Sequence, residues 1–61
     1  MKEILKRIIS GEELSQAETR QIMLNIIEQR YADVQISAFL TALEMRGVTV
    51  DELLGLREGL L

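Results

Sequence analysis

The chain has 61 residues, of which 48% are hydrophobic but only 3% aromatic, and its formal net charge is −3. A domain of this length buries only about 60% of the surface its unfolded chain exposes, and without cysteine it has neither a disulfide staple nor a thiolate zinc site. Its lysines and arginines are scattered, which excludes the basic stripe that nucleic acid or an anionic membrane requires, and no apolar run nears the ~18–20 residues of a membrane span.

Apolar spacing predicts a first helix from Lys2 to Ser10. Ile4, Leu5, Ile8 and Ile9 fall within about 140° of arc and leave Lys2, Glu3, Lys6 and Arg7 outward. Gly11 can adopt the left-handed conformation that closes such a helix. A second helix is predicted to start behind Ser15, because Ser15-Gln16-Ala17-Glu18 is a capping box in which the serine hydroxyl and the Glu18 carboxylate each satisfy a free backbone N–H. Ile22, Met23, Leu24, Ile26 and Ile27 form its apolar side, with Glu18, Gln21, Asn25, Glu28 and Gln29 toward water. It is expected to fray near Arg30-Tyr31, where the Tyr31 ring can cover the joint with its hydroxyl in solvent.

The third helix, capped by Asp33 and ended by Gly47, carries the most information. Val34, Ala38, Ala42 and Met45 line one stripe, and Ile36, Phe39, Leu40 and Leu43 line another. A helix on the outside of a small monomer needs one apolar face, so this helix is central or meets another protein surface. Small residues suit tight packing inside the bundle, which leaves the bulkier stripe to serve the core or a partner. Thr49-Val50-Asp51-Glu52 is a second capping box, with Val48 placed to staple onto Leu53. Along the fourth helix Val50, Leu53, Leu54, Leu56, Leu60 and Leu61 share a face. Arg57 lies in its middle, where its stem can cover leucine while the guanidinium reaches water or a partner. Gly55 and Gly59 lie on the opposite side, each costing about 1 kcal/mol relative to alanine. They leave a flat strip that either admits a neighbouring backbone or is merely tolerated. The expected fold is all-α, a small orthogonal bundle of four short helices in one domain over residues 1–61. Leucines at positions 60 and 61 continue the apolar pattern, so the chain is expected to be the front part of a longer protein.

The side chains of catalysis are mostly missing. There is no histidine, cysteine or tryptophan, and Ser10, Ser15 and Ser37 have no neighbouring base. None of the ten acidic residues sits in an apolar stripe where burial would tune it. Glu12-Glu13 reads as a solvated joint or a weak cation contact. The two best helix starts carry Glu18 and Glu52, which repel an anion. No catalytic residue, cofactor site or metal site is expected in this chain. A DNA-binding helix-turn-helix over residues 43–56 has roughly the right spacing, but its recognition helix would open on Asp51-Glu52, which phosphates repel. The terminus Met-Lys-Glu-Ile lacks a signal-peptide core, so a cytoplasmic location is expected. By the per-residue rule, stability should be about 3–9 kcal/mol, which makes self-association the natural added stabiliser.

The opening M-K-E-I-L, the G-E-E-L-S joint, the run D-V-Q-I-S-A-F-L-T-A-L-E-M-R-G and the following T-V-D-E-L-L-G-L-R together resemble the amino-terminal helical segment of the anthranilate phosphoribosyltransferase family, over the whole chain. Pyrimidine nucleoside phosphorylases share a related segment, but A-F-L at 38–40 and T-V-D-E-L-L-G look closer to the anthranilate enzymes. Gln29-Arg30 departs from the pattern, since many relatives place glycine before the third helix. The resemblance implies a parent enzyme that moves phosphoribosyl from phosphoribosyl pyrophosphate to anthranilate with magnesium. The diphosphate loop and anthranilate-contacting residues of that enzyme lie beyond these positions. It also implies a non-catalytic domain that forms a homodimer through its first and third helices and contacts the remainder of the parent enzyme. The candidate interface residues are Ile4, Ile8, Ile36, Phe39, Leu40 and Leu43. The alternatives are a stand-alone helical interaction module, or the equivalent domain of a pyrimidine nucleoside phosphorylase.

Overall fold

The computed structural model describes residues 1–61 as four helices: α1 (Lys2–Ile9), α2 (Gln16–Ile27), α3 (Asp33–Arg46) and α4 (Val50–Leu60). There is no strand, and the all-α bundle measures 27 × 24 × 16 Å. Both serine/threonine capping boxes form. Ser15 Oγ accepts from Glu18 N at 3.1 Å and Glu18 accepts from Ser15 N at 2.9 Å. Thr49 and Glu52 repeat the arrangement at the same two distances.

The helix joints differ from expectation in two places. Asp33 is the first residue of α3 and Ala32 is its cap; Gln35 reaches back to accept from the Ala32 N–H at 2.9 Å. That amide supplies only the reciprocal half of a capping box, since Ala32 has no side-chain acceptor for the N–H groups of the first turn. The α2 helix ends at Ile27, and Gln29 turns the chain with φ +59°, a left-handed conformation disfavoured for any residue with a Cβ. Tyr31 packs against the core, and its hydroxyl accepts from Asn25 Nδ2 at 3.1 Å instead of pointing only to solvent.

The core consists of Ile8, Leu14, Ile22, Phe39 and Leu43, each 3% exposed or less. Leu14, in the α1–α2 loop, plugs the bundle although it belongs to no periodic run. Two helix pairs build the fold, α2 with α4 and α1 with α3. The α2–α4 pair meets backbone to backbone. Gly55 lies against Thr19 and the Gln16 carbonyl, and a Cβ at Gly59 would sit 2.7 Å from Met23 Cγ. Thr19 and Met23 are four apart on α2, as Gly55 and Gly59 are on α4, so a ledge on one helix fits a flat strip on the other. Both glycines are buried. The glycine strip is therefore the inner face of α4, and the face with Val50, Leu53, Leu54, Leu60 and Leu61 is exposed. Val48 and Leu53, expected to staple together, are also exposed.

The α3 helix buries most of its bulky stripe, one of the two places the sequence allowed it, and turns outward most of the small stripe expected inside. Leu40 of the bulky stripe is exposed and Ala42 of the small one packs on the core. Phe39 and Leu43 point into the core, with Ile36 half-buried beside them, while Val34, Ala38 and Met45 face outward. The larger side chains remove more apolar area from water, so a core with room for one stripe of α3 takes the bulky one.

Candidate functional site

Two features stand out: a buried ionic node at the helix ends, and an apolar groove on the outer side of α1 and α3. Glu52 is fully buried. Its carboxylate accepts from the Thr49 N–H at 2.9 Å and the Leu14 N–H at 2.7 Å, and it pairs with the Arg46 guanidinium. Arg46 also donates to the Glu12 carbonyl. Burial alone would raise the pKa of Glu52. The two backbone N–H groups and the Arg46 charge outweigh burial and hold it below the ordinary carboxylate range.

This node corrects the expectation that no carboxylate sits where burial would tune it. The helical register of Glu52 shows only a capping residue. Its burial follows from the α1–α2 loop folding over it and placing the Leu14 N–H against an already occupied cap. Every lone pair used is directed at the protein's own groups, and no buried side-chain nitrogen or oxygen lacks a partner. The node ties α3, α4 and the α1–α2 loop together and has no geometry for acid–base chemistry.

A second ionic contact lies on the surface. Arg7, expected to be merely outward, grips Glu18 through both terminal nitrogens and approaches Glu12 at 3.4 Å. The Arg7 hydrogen bonds, joined by the Ser15 N–H, lower the pKa of Glu18 to about 2. Glu18 raises that of Arg7 in return. No three acidic, histidine or cysteine side chains converge in the fold. No helix is long and apolar enough to cross a membrane.

The groove has a volume of about 730 Å³ and is lined by Ile9, Val34, Ser37, Ala38, Thr41 and Met45 among others. Ile9 is 78% exposed, Val34 75% and Met45 84%. The six interface candidates divide. Ile8, Phe39 and Leu43 are buried in the chain's own core and have no surface left for a partner; Ile4 and Ile36 are half-buried; Leu40 is exposed. The structure gathers most of them inside the domain, because the bulky stripe of α3 and the matching side of α1 are what the core is made of. Apart from Leu40, the apolar residues that α3 leaves on its outer side are Val34, Ala38 and Met45 of the smaller stripe, which sequence reasoning had assigned inward. The mixture of Ser37, Ala38 and Thr41 between Val34 and Met45 was the available signal, since serine and threonine are tolerated more readily at a half-wet surface than in a core.

Comparison with known proteins agrees with this fold. Residues 2–61 match the family described as glycosyl transferase family, helical bundle domain. Among curated relatives, the chain is similar to the anthranilate phosphoribosyltransferase of Christiangramia forsetii, with 51% identity over the whole chain and 18% of the relative. It is 49% identical to the same enzyme of Phocaeicola vulgatus over the same shares. With the Priestia megaterium enzyme it shares 42% identity over 97% of the chain and 17% of the relative. The chain thus spans less than a fifth of the length of the curated relatives it matches. No solved structure matches it significantly. All four helices, the ionic node and the groove lie within the matched residues, and the chain belongs to the helical bundle domain of the glycosyl transferase family.

Proposed function

We propose that this chain is the amino-terminal helical domain of an anthranilate phosphoribosyltransferase, in which it does no chemistry itself. It joins two subunits through the outer side of α1 and α3 and supports one wall of the active site formed by the rest of the enzyme. The parent reaction on this reading is transfer of phosphoribosyl from phosphoribosyl pyrophosphate to anthranilate, with magnesium held outside these residues. Identity of up to 51% to enzymes of that name supports the choice of parent.

The observation that carries the role is the groove, where Ile9, Val34 and Met45 are more than two-thirds exposed around the small residues Ser37, Ala38 and Thr41. A self-complementary contact places the same patch of each subunit against the other. Full burial of one such aliphatic side chain contributes about 1.5–3 kcal/mol. A few per subunit, set against the cost of association, hold a dimer in the micromolar range.

Sedimentation tests this directly. The chain is expected to dimerise as its concentration rises toward hundreds of micromolar. Ala38→Glu should remain monomeric with unchanged helicity, because Ala38 is exposed and a carboxylate there costs nothing until a partner covers it. A wild-type chain that stays monomeric throughout defeats the dimer role. The isolated chain is also expected to give no phosphoribosyl transfer with phosphoribosyl pyrophosphate, anthranilate and magnesium.

A further inference from the structure

The α4 helix is packed with its glycines inward and its leucines outward. Gly55 and Gly59 are buried against Thr19 and Met23. On the opposite side Val50 is 71% exposed, Leu53 56%, Leu54 40% and Leu60 66%. At 100° per residue these four positions span about 120° and are centred roughly 160° from Gly59. The stripe is a second apolar face, on a different helix from the groove proposed for the dimer. A bundle that needed only its own core would bury the leucines and expose the glycines, since leucine gains by burial and glycine does not.

What covers this face is constrained by Arg57. It lies at the centre of the stripe, is exposed, and takes part in none of the ion pairs of the fold. In a two-fold contact between copies of this face, the two Arg57 guanidiniums would meet near the axis, surrounded by leucine, and like charges there are strongly unfavourable. A second copy is therefore a poor occupant. The match to relatives more than five times as long supplies a better one.

We infer that the leucine face of α4 docks against the part of a full-length transferase lying outside this domain, on an apolar surface that presents a carboxylate to Arg57. The inference rests on the reading of this chain as one domain of a longer enzyme. On this assignment α4 becomes a middle layer, with α2 on its glycine side and the rest of the enzyme on its leucine side. The close α2–α4 approach then has a purpose: Leu56 packs on the core and Glu52 closes the ionic node, while Val50, Leu53, Leu54 and Leu60 stay available for the second contact.

The chain contains no cysteine, so a single thiol reports on the face. Leu53→Cys should react rapidly with a maleimide in the 61-residue chain at all concentrations. In a full-length chimera carrying these residues in place of the corresponding segment of the Christiangramia enzyme, position 53 should label at least about tenfold more slowly, as read by mass spectrometry of the labelled peptide. Equal labelling in the two proteins overturns the inference. Protection in the short chain that grows with concentration also overturns it, in favour of a second copy. If the chimera does not fold, labelling the Christiangramia enzyme itself, with cysteine placed at its residue aligned with Leu53, decides the matter by the same comparison. As a charge test, Arg57→Glu should lower the melting temperature of the chimera and leave that of the short chain unchanged; an equal change in both counts against docking. A protected position 53 in a protein without transferase activity would strike the proposed parent reaction alone. Activity with position 53 freely labelled would strike the docking alone.

Discussion

The two helix pairs of this small domain are held together in opposite ways. The α2–α4 pair meets along its length, with the glycine backbone of α4 against Thr19, Met23 and the Gln16 and Arg20 carbonyls of α2. The α1–α3 pair touches over a shorter stretch, and Ile8, Phe39 and Leu43 fill the space beneath it. The first pair depends on side chains that are absent and the second on side chains that are large. Each leaves a different outer surface, a leucine stripe on α4 and a mixed groove beside α3. Arg46 and Glu52 connect the two pairs, because Arg46 ends α3 and Glu52 lies in the first turn of α4, while Leu14 of the α1–α2 loop donates to the same carboxylate.

If that contrast is right, the α1–α3 half should fail on removal of a side chain. Phe39→Ala deletes the largest fully buried side chain and is expected to cost about 3–5 kcal/mol. That is comparable to the whole stability expected of so short a chain, so the variant should lose its cooperative thermal transition at room temperature or just above. A loss under about 1 kcal/mol would mean the core does not depend on this ring.

The α2–α4 half should instead fail on addition. A methyl at Gly55 runs into Thr19 Oγ1 and the Gln16 carbonyl, and overpacking of this kind costs about 1–3 kcal/mol. Better helix propensity returns about 1 kcal/mol of that. Urea unfolding of Gly55→Ala should therefore show a net loss, whereas the same substitution on an exposed helix would stabilise. A gain in stability would show that the two helices are not in close contact.

Acid should loosen both the connection and the surface pair. Glu52 and Glu18 have pKa values lowered in the folded protein. The stability they provide is present above the ordinary carboxylate pKa and lost as pH falls through the folded value. For Glu18 that window runs from 4.5 down to about 2. The urea midpoint should fall across it, and Glu18→Gln should make the fall shallower. Since Glu18 and Arg7 are partly open to solvent, salt should weaken the Glu18 contribution more than that of buried Glu52.

The smallest effect is expected at the joint between the pairs. Gln29 sits at φ +59°, and glycine relieves the left-handed strain at some cost in unfolded-state entropy. Gln29→Gly should stabilise by less than about 1 kcal/mol. Destabilisation would show that the Gln29 side chain contributes something the backbone does not reveal.

Much of this molecule could be read in one dimension. Ser15/Glu18 and Thr49/Glu52 start their helices where the capping boxes place them, and Gly47 follows the end of α3 with φ +93°. Those features are local: a cap, a left-handed turn and a period of 3.6 residues involve atoms within one turn of each other. The two apolar stripes of α3 were equally legible. Which stripe turns inward was not, because both satisfy the same periodicity and the choice depends on how α3 packs against α1. The same holds for α4. Its sequence contains a leucine face and a glycine face, and only the ledge formed by Thr19 and Met23 on α2 decides that the glycines go in. Leu14 and Glu52 complete the list. One is a loop residue outside any repeat and the other a capping carboxylate, and each is buried because a segment distant in sequence closes over it. Sequence by itself determined the helices, their boundaries except for the earlier end of α2 at Ile27, and the existence of more apolar surface than one core can hide. Tertiary structure alone decided which surface is hidden, since burial is a property of shapes meeting across the chain and not of the order of residues along it.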